Sequence, residues 1–326
     1  MKRIIISALI TALLMCAGCA KNNDTGESSL EGGSQNLSDE SESFSVPEAD
    51  QVVSQNMKGC FYGENTGTDK TYTGLEPLPL SDMNNPSFEC PEGLSFSTIE
   101  HSYGVAKDEQ PHEISVNNQK FFDEKGFDAI AYDNKTDKKV VYLTFDCGYE
   151  NGYTAKILDT LRDKGVKAAF FCTLPEMRDN PEIIARMISE GHIVGNHSVT
   201  HPDFSSISRE QMYEEVKGFD DFIRENFGFS AGYFRYPQGK YSENSLEMLN
   251  EMGFTCVFWS LAYADWDLNN QQGASNALET VISRIHPGAV ILLHAVSPDN
   301  ANALADIIDR ARDMGYEFAV LPDYGS

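Results

Sequence analysis

The sequence is poor in basic charge. Its 326 residues carry 25 lysines and arginines against 50 aspartates and glutamates, a net charge of −25 with histidine neutral. Nucleic-acid binding needs clustered basic residues to neutralise phosphate, and no such cluster is present, which excludes that class of partner. The acid excess favours solubility and says nothing about substrate. An internal repeat and a glycine-rich nucleotide fingerprint are also missing. The N-terminal apolar run, Ile4 to Met15, is too short for a stable bilayer span, which takes about 20 residues.

That run is preceded by Met1-Lys2-Arg3, the layout of a secretory signal. It closes on Cys16-Ala17-Gly18-Cys19, which resembles a bacterial lipoprotein cleavage box. Residues 1–19 are therefore expected to be a lipoprotein signal with Cys19 lipidated, holding the chain on the outer face of the cell membrane by lipid alone. Plain cleavage and secretion is the alternative. Seven cysteines are present. An extracytoplasmic setting permits a disulfide, and Cys60 with Cys90 is the candidate pair, both lying in Gly/Pro/Asn-rich loops. Cys172 and Cys256 sit in apolar runs and are expected in the core.

Residues 20–55 are rich in Ser, Glu, Asp, Gly and Asn and cannot bury enough surface to order themselves, so they read as a disordered tether. Residues 56–135 read as an irregular N-terminal extension, and 136–326 as a regular α/β domain. Strands are expected at Val140–Cys147, Val166–Thr173, His192–His197, Tyr233–Tyr236, Phe254–Ala262, Ala289–His294 and Glu317–Leu321. Helices come between them. One has Ile157, Leu158 and Leu161 on one face; another opens at Ser208 with Gln211 as a capping box. Strict alternation of this kind means parallel strands with right-handed crossovers, in a closed barrel or an open sheet.

Polar side chains cluster where these strands end, as on the C-terminal face of a barrel. Asp146 ends the first strand and is suited to activating a water; an Asx turn is its bland role. His197 and His201 have the spacing of two metal ligands on one helical turn. Arg235 is a charge in an apolar strand and demands a carboxylate partner if buried. His294 ends Val290-Ile291-Leu292-Leu293, and Asp265 is a candidate partner for a histidine.

The ordered set Thr144-Phe145-Asp146-Cys147-Gly148, His197-Ser198-Val199-Thr200-His201, Arg235-Tyr236-Pro237-Gln238-Gly239, Asp265-Trp266 and Leu292-Leu293-His294 resembles the polysaccharide deacetylases of the NodB-homology type, carbohydrate esterase family 4. The extension Gly148-Tyr149-Glu150-Asn151-Gly152-Tyr153-Thr154 is more similar still to the δ-lactam-biosynthetic de-N-acetylases, which act on muramic acid in spore-forming bacteria. The resemblance implies a distorted (β/α) barrel that hydrolyses acetyl groups from N-acetylated sugars of peptidoglycan, with N-acetylmuramic acid first and N-acetylglucosamine second. A non-catalytic glycan-binding lipoprotein is the alternative of another class. It also implies a divalent metal, zinc first, with cobalt, magnesium or manganese as alternatives, held by His197 and His201. Asp146 is then the general base and His294 the general acid. Arg235 orients the base and Asp265 the acid, while Gln238 and Tyr236 serve substrate and oxyanion.

The departure is Cys147, which stands where the family has an aspartate ligand. Three outcomes stay open: two-histidine binding with the thiol aside, a Cys147 thiolate as third ligand, or a site that has lost its metal and its activity.

Overall fold

The computed structural model describes residues 83–321. The expected signal, the tether, Cys19 and Cys60 lie outside the described residues, as does the first part of the extension. Cys90 is half-buried, its thiol 3.5 Å from the Pro91 carbonyl. Among the described residues no helix is long and apolar enough to cross a membrane.

In chain order the elements are β1 (Ile99–Glu100), α1 (Glu113–Lys125), β2 (Ala129–Ile130), β3 (Val140–Cys147), α2 (Thr154–Lys164), β4 (Ala169–Cys172), α3 (Leu174–Asp179), α4 (Pro181–Ser189), β5 (Ile193–Asn196), α5 (Arg209–Phe227), β6 (Tyr233–Phe234), β7 (Lys240–Tyr241), α6 (Glu243–Glu251), β8 (Thr255–Val257), α7 (Ala274–Arg284), β9 (Ala289–His294), α8 (Pro298–Asp313) and β10 (Glu317–Ala319).

β3 is buried on both faces, which is why it reads as a continuous apolar run and not as an alternation. One edge pairs with β9 from Val141↔Ala289 to Asp146↔His294. The other edge takes β10 against Val140–Tyr142 and β4 against Thr144–Cys147. Beyond β4 the sheet continues through β5, β6, β8 and β2, parallel throughout. It curls until bridges Tyr132↔Ala289 and Leu261↔Ile291 bring its far edge against β9. The result is a distorted (β/α) barrel, which the family resemblance implied and which decides between the closed and open sheets that the alternation allowed.

The helices cover the outside with the stripes legible in the sequence: Ile157, Leu158 and Leu161 in α2, and Met212, Val216, Phe219 and Ile223 in α5. α5 opens on its capping box. Ser208 Oγ accepts from the Gln211 N–H at 3.3 Å, and Gln211 Oε1 accepts from the Ser208 N–H at 3.0 Å. Cys172 and Cys256 are fully buried, as expected.

Residues 83–135 are more regular than their composition suggests. α1 escapes a periodicity reading because it buries only Ser115, Gln119 and Phe122. Gln119 is a structural device: its Oε1 accepts from the Ala131 N–H at 2.7 Å and its Nε2 donates to the Ala129 carbonyl at 3.3 Å, fixing β2. β1 pairs antiparallel with β7, Ile99↔Tyr241 and Glu100↔Lys240. Two-residue strands carry no period to read.

Candidate active site

Successive side chains of a strand point to opposite faces. In β3 this puts Thr144 and Asp146 on the inner face, where one nitrogen of Arg235 reaches both, at 2.9 Å from Thr144 Oγ1 and 2.8 Å from Asp146 Oδ1. Arg235 is fully buried. Its remaining nitrogens donate to the carbonyls of Val257 and Phe258, each at 3.0 Å, and its guanidinium lies 4.2 Å over the Phe171 ring. Asp146 is therefore the carboxylate partner that a buried arginine demands. Burial pushes the Asp146 carboxyl up, but Arg235, His197 and His294 outweigh it and hold it below the usual range.

His197 and His201 follow β5 in an irregular loop, not in the helical turn expected. Ser198 has φ 72° and His201 φ 59°. Left-handed backbone at two such residues persists only where the surroundings enforce it. Here the Glu215 carboxylate accepts from the N–H groups of Val199 (3.0 Å) and Thr200 (2.7 Å), and Ser198 Oγ accepts from the His201 N–H at 2.9 Å. The two imidazoles meet edge to face, centroids 4.9 Å apart.

His197 Nδ1 lies 2.8 Å from the Arg235 carbonyl oxygen, so it carries the proton. Burial takes this ring down to about pKa 4, so it is neutral near pH 7 with the Nε2 lone pair free. Burial lowers His201 as well. His197 Nε2 lies 3.6 Å from Asp146 Oδ2, two lone-pair groups with no proton between them. A neutral histidine whose other nitrogen is tied to a carbonyl is oriented as metal ligands are. His197, His201 and the free edge of Asp146 thus fit a divalent cation in part. Among the described residues no three His, Cys, Asp or Glu side chains converge closely enough to complete such a site.

Cys147 does not join them, a correction to its candidacy as a ligand. It follows Asp146 on the strand and so faces the opposite way, into the core between sheet and helices with Phe145 and Cys172. The hydrogen-bonded Cys172 thiol and burial push its pKa well above that of a free thiol. Facing the core and not the cavity, the thiol is not placed to share a cation with His197 and His201.

His294 is the register partner of Asp146 on β9, so the two side chains project from the same face. Asp265 Oδ1 accepts from His294 Nδ1 at 2.6 Å, and its Oδ2 accepts from the His294 backbone N–H at 2.8 Å. Asn300, itself bonded to Tyr263, also donates to Asp265. Burial lowers the His294 pKa, but the Asp265 carboxylate outweighs it, and the net shift is upward. The site thus holds a low-pKa carboxylate beside a high-pKa imidazole.

Asp146, His197, His201 and His294 line one cavity of about 660 Å³. Its apolar wall includes the buried cluster of Trp259, Ala262 and Leu292. Gln238 lines it with φ 59°, and its N–H makes no hydrogen bond with the described residues. Tyr236 lines it too, but its hydroxyl turns inward to Cys256 Sγ, 3.9 Å away, so only the rest of this residue can meet a ligand. The sequence reading missed His101, Trp259, Thr144 and Asn300. Thr144 was legible as the inward neighbour of Asp146 at strand spacing. Nothing in the sequence marks Asn300.

A curled parallel sheet carrying a base–arginine pair, two imidazoles and a carboxylate-backed histidine around one cleft defines a hydrolase of the (β/α)-barrel class. The sequence model of the family described as "Polysaccharide deacetylase" matches residues 133–257. The peptidoglycan-N-acetylmuramic acid deacetylase PdaA of Bacillus subtilis is 43% identical over 198 residues, 60% of this chain and 75% of that protein. The peptidoglycan-N-acetylglucosamine deacetylase of Bacillus cereus is 31% identical over 198 residues, 60% of this chain and 71% of that protein. The solved structure of Bacillus subtilis PdaA, a family 4 carbohydrate esterase, superposes with a TM-score of 0.66 at 38% identity, covering 69% of this chain and 96% of that one. The chain belongs to the polysaccharide deacetylase family, the family 4 carbohydrate esterases, and is a hydrolase of amide bonds.

Proposed function

We propose that this chain removes acetyl groups from the N-acetylmuramic acid units of peptidoglycan, with muramic δ-lactam formation in spore cortex as its setting. The observation that carries the chemistry is the placement of Asp146 and His294 as register neighbours facing one cleft, each with its own orienting partner. Asp146 Oδ2 takes a proton from the attacking water while Arg235 fixes Oδ1. The Gln238 N–H, which has no acceptor among the described residues, is the donor for the oxyanion of the tetrahedral intermediate. His294 Nε2–H protonates the departing amine, and Asp265 holds the imidazole in the tautomer and charge state that this requires.

A divalent cation bound at His197 and His201 would add carbonyl polarisation and a more acidic water. Zinc suits two imidazoles and an oxygen donor; cobalt, magnesium and manganese are alternatives. The 43% identity to an N-acetylmuramic acid deacetylase supports the substrate. The relative that acts on N-acetylglucosamine supports a second reading, the same reaction on that sugar. The N-terminal sequence supports placement outside the cell membrane, anchored through lipidated Cys19; Cys19→Ala is expected to release the protein into the medium.

The test is mass spectrometry of peptidoglycan digested after incubation with wild type and with Asp146→Asn. Deacetylated muramic acid from wild type, and a loss of roughly 10²–10⁴-fold in Asp146→Asn, is expected. Acetate release from N-acetylglucosamine units alone would remove the muramic assignment. Retained glycan binding with no acetate release under zinc, cobalt or magnesium would point to a non-catalytic binding protein.

A further inference from the structure

The family match begins at residue 133, yet His101, Ser102 and Tyr103 line the catalytic cavity. This stretch is fastened at four points. β1 pairs with β7 directly after the Pro237-Gln238-Gly239 turn. The His101 N–H donates to the Gly239 carbonyl at 2.8 Å. His101 Nε2–H donates to the Trp259 carbonyl at 2.6 Å, and Asn118 donates to His101 Nδ1 at 2.7 Å. The contact with the turn is close enough that a Cβ on Gly239 would stand 2.6 Å from the His101 carbonyl oxygen.

Two residues beyond this fastening stands Tyr103. Its ring is 37% exposed, borders the cavity, and makes no hydrogen bond or ring contact with the described residues. Two more half-exposed rings border the same cavity from other loops: Tyr149, after β3, and Trp266, whose ring centre is 5.4 Å from that of His294. A large ring that is partly exposed at the rim of a cavity, at the end of a rigidly tied segment, is placed to meet a ligand. The faces of such rings match the C–H-bearing faces of pyranose rings, as apolar body and wet edge combine in aromatic recognition.

We propose that Ile99–Tyr103, which precedes the family-matched residues, is a substrate-positioning element of the cleft, with the Tyr103 ring stacking on the sugar unit next to the one that reacts. The role rests on the glycan-strand reading above. It makes the preference of the site for a chain over a single sugar a property of a segment that lies before residues 133–257, the part matched by the family model. His101 is the buckle: it is buried and neutral, so both of its ring hydrogen bonds persist over the physiological pH range.

The test is calorimetric binding of a soluble tetrasaccharide of alternating N-acetylglucosamine and N-acetylmuramic acid, and of N-acetylglucosamine alone, to wild type, Tyr103→Ala and Tyr103→Phe. Tyr103 is exposed, so both variants are expected to fold, and thermal unfolding confirms it. Tyr103→Ala should bind the tetrasaccharide roughly 3- to 10-fold more weakly, the scale of one aromatic contact. Tyr103→Phe should bind it like wild type, and the single sugar should not discriminate among the three. Unchanged tetrasaccharide affinity in Tyr103→Ala, an equal loss for both ligands, or a wild type that does not bind the tetrasaccharide would overturn the proposal. Binding is read without catalysis, so a wild type that binds but releases no acetate overturns the deacetylase reading and leaves the stacking role standing.

Discussion

At Arg235 a single fully buried charge is neutralised by one carboxylate, Asp146, and its other nitrogens are used on backbone carbonyls. Arg235→Met should leave that carboxylate buried without its partner, lowering stability by about 3–5 kcal/mol in urea unfolding as well as abolishing activity. The pH profile belongs to His294. Its raised pKa keeps the acid protonated, so activity should fall as pH rises through that pKa. Asp265→Asn removes the stabilising carboxylate, and the alkaline limb of kcat should move to lower pH; an unmoved limb would take the acid role from His294. At Cys147 the thiol faces the core, so Cys147→Ser loaded with cobalt should show the same metal affinity as wild type, and neither protein should show a sulfur-to-cobalt charge-transfer band. The sequence brought Cys147 to notice through its neighbours; only the pleat of the strand decides that it looks away from them.

Elements place these residues by means that sequence periodicity reads unevenly. β3 and β9 were legible as apolar runs ending in Asp146 and His294, and their pairing makes the two polar ends adjacent. The turn after His197 was misread as helical because spacing alone does not report backbone sign; Glu215, from α5, holds that turn. α3 carries another buried acid, Glu176, which burial, with the nearby Glu150 carboxylate, pushes up to about 7. Folded Glu176 therefore binds a proton more tightly than unfolded Glu176. Stability should decline as pH rises from the unfolded value of 4.5 to about 7 and then level off. Glu176→Gln removes that penalty. It should be more stable than wild type at pH 8, by roughly 1–3 kcal/mol, and equal to it near pH 4, measured by denaturant unfolding at both pH values.

The whole molecule carries a net charge of −25, a source of self-repulsion. Added salt screens it, so the thermal midpoint should be higher in 0.5 M than in 0.02 M sodium chloride; a lower midpoint in salt would mean that surface ion pairs such as Lys125–Glu243 dominate instead. At this scale the sequence by itself determined the strand–helix alternation, the parallel strands, and the five motifs that end them, because apolar runs bounded by turns and helical stripes are legible locally, while the resemblance carried by the motifs implied the barrel. It also determined which residues are chemically able to act. Only the tertiary structure decided which of them meet. Arg235 and Asp146 stand 89 positions apart and touch because β3 and β6 lie around one curled sheet. Asp265 reaches His294 from a loop with no period to read, and Asn300 reaches Asp265 from the first turn of α8. The segment around His101 joins the cavity through two-residue strand pairing and hydrogen bonds to backbone carbonyls, contacts that depend on geometry and leave almost no trace in residue type.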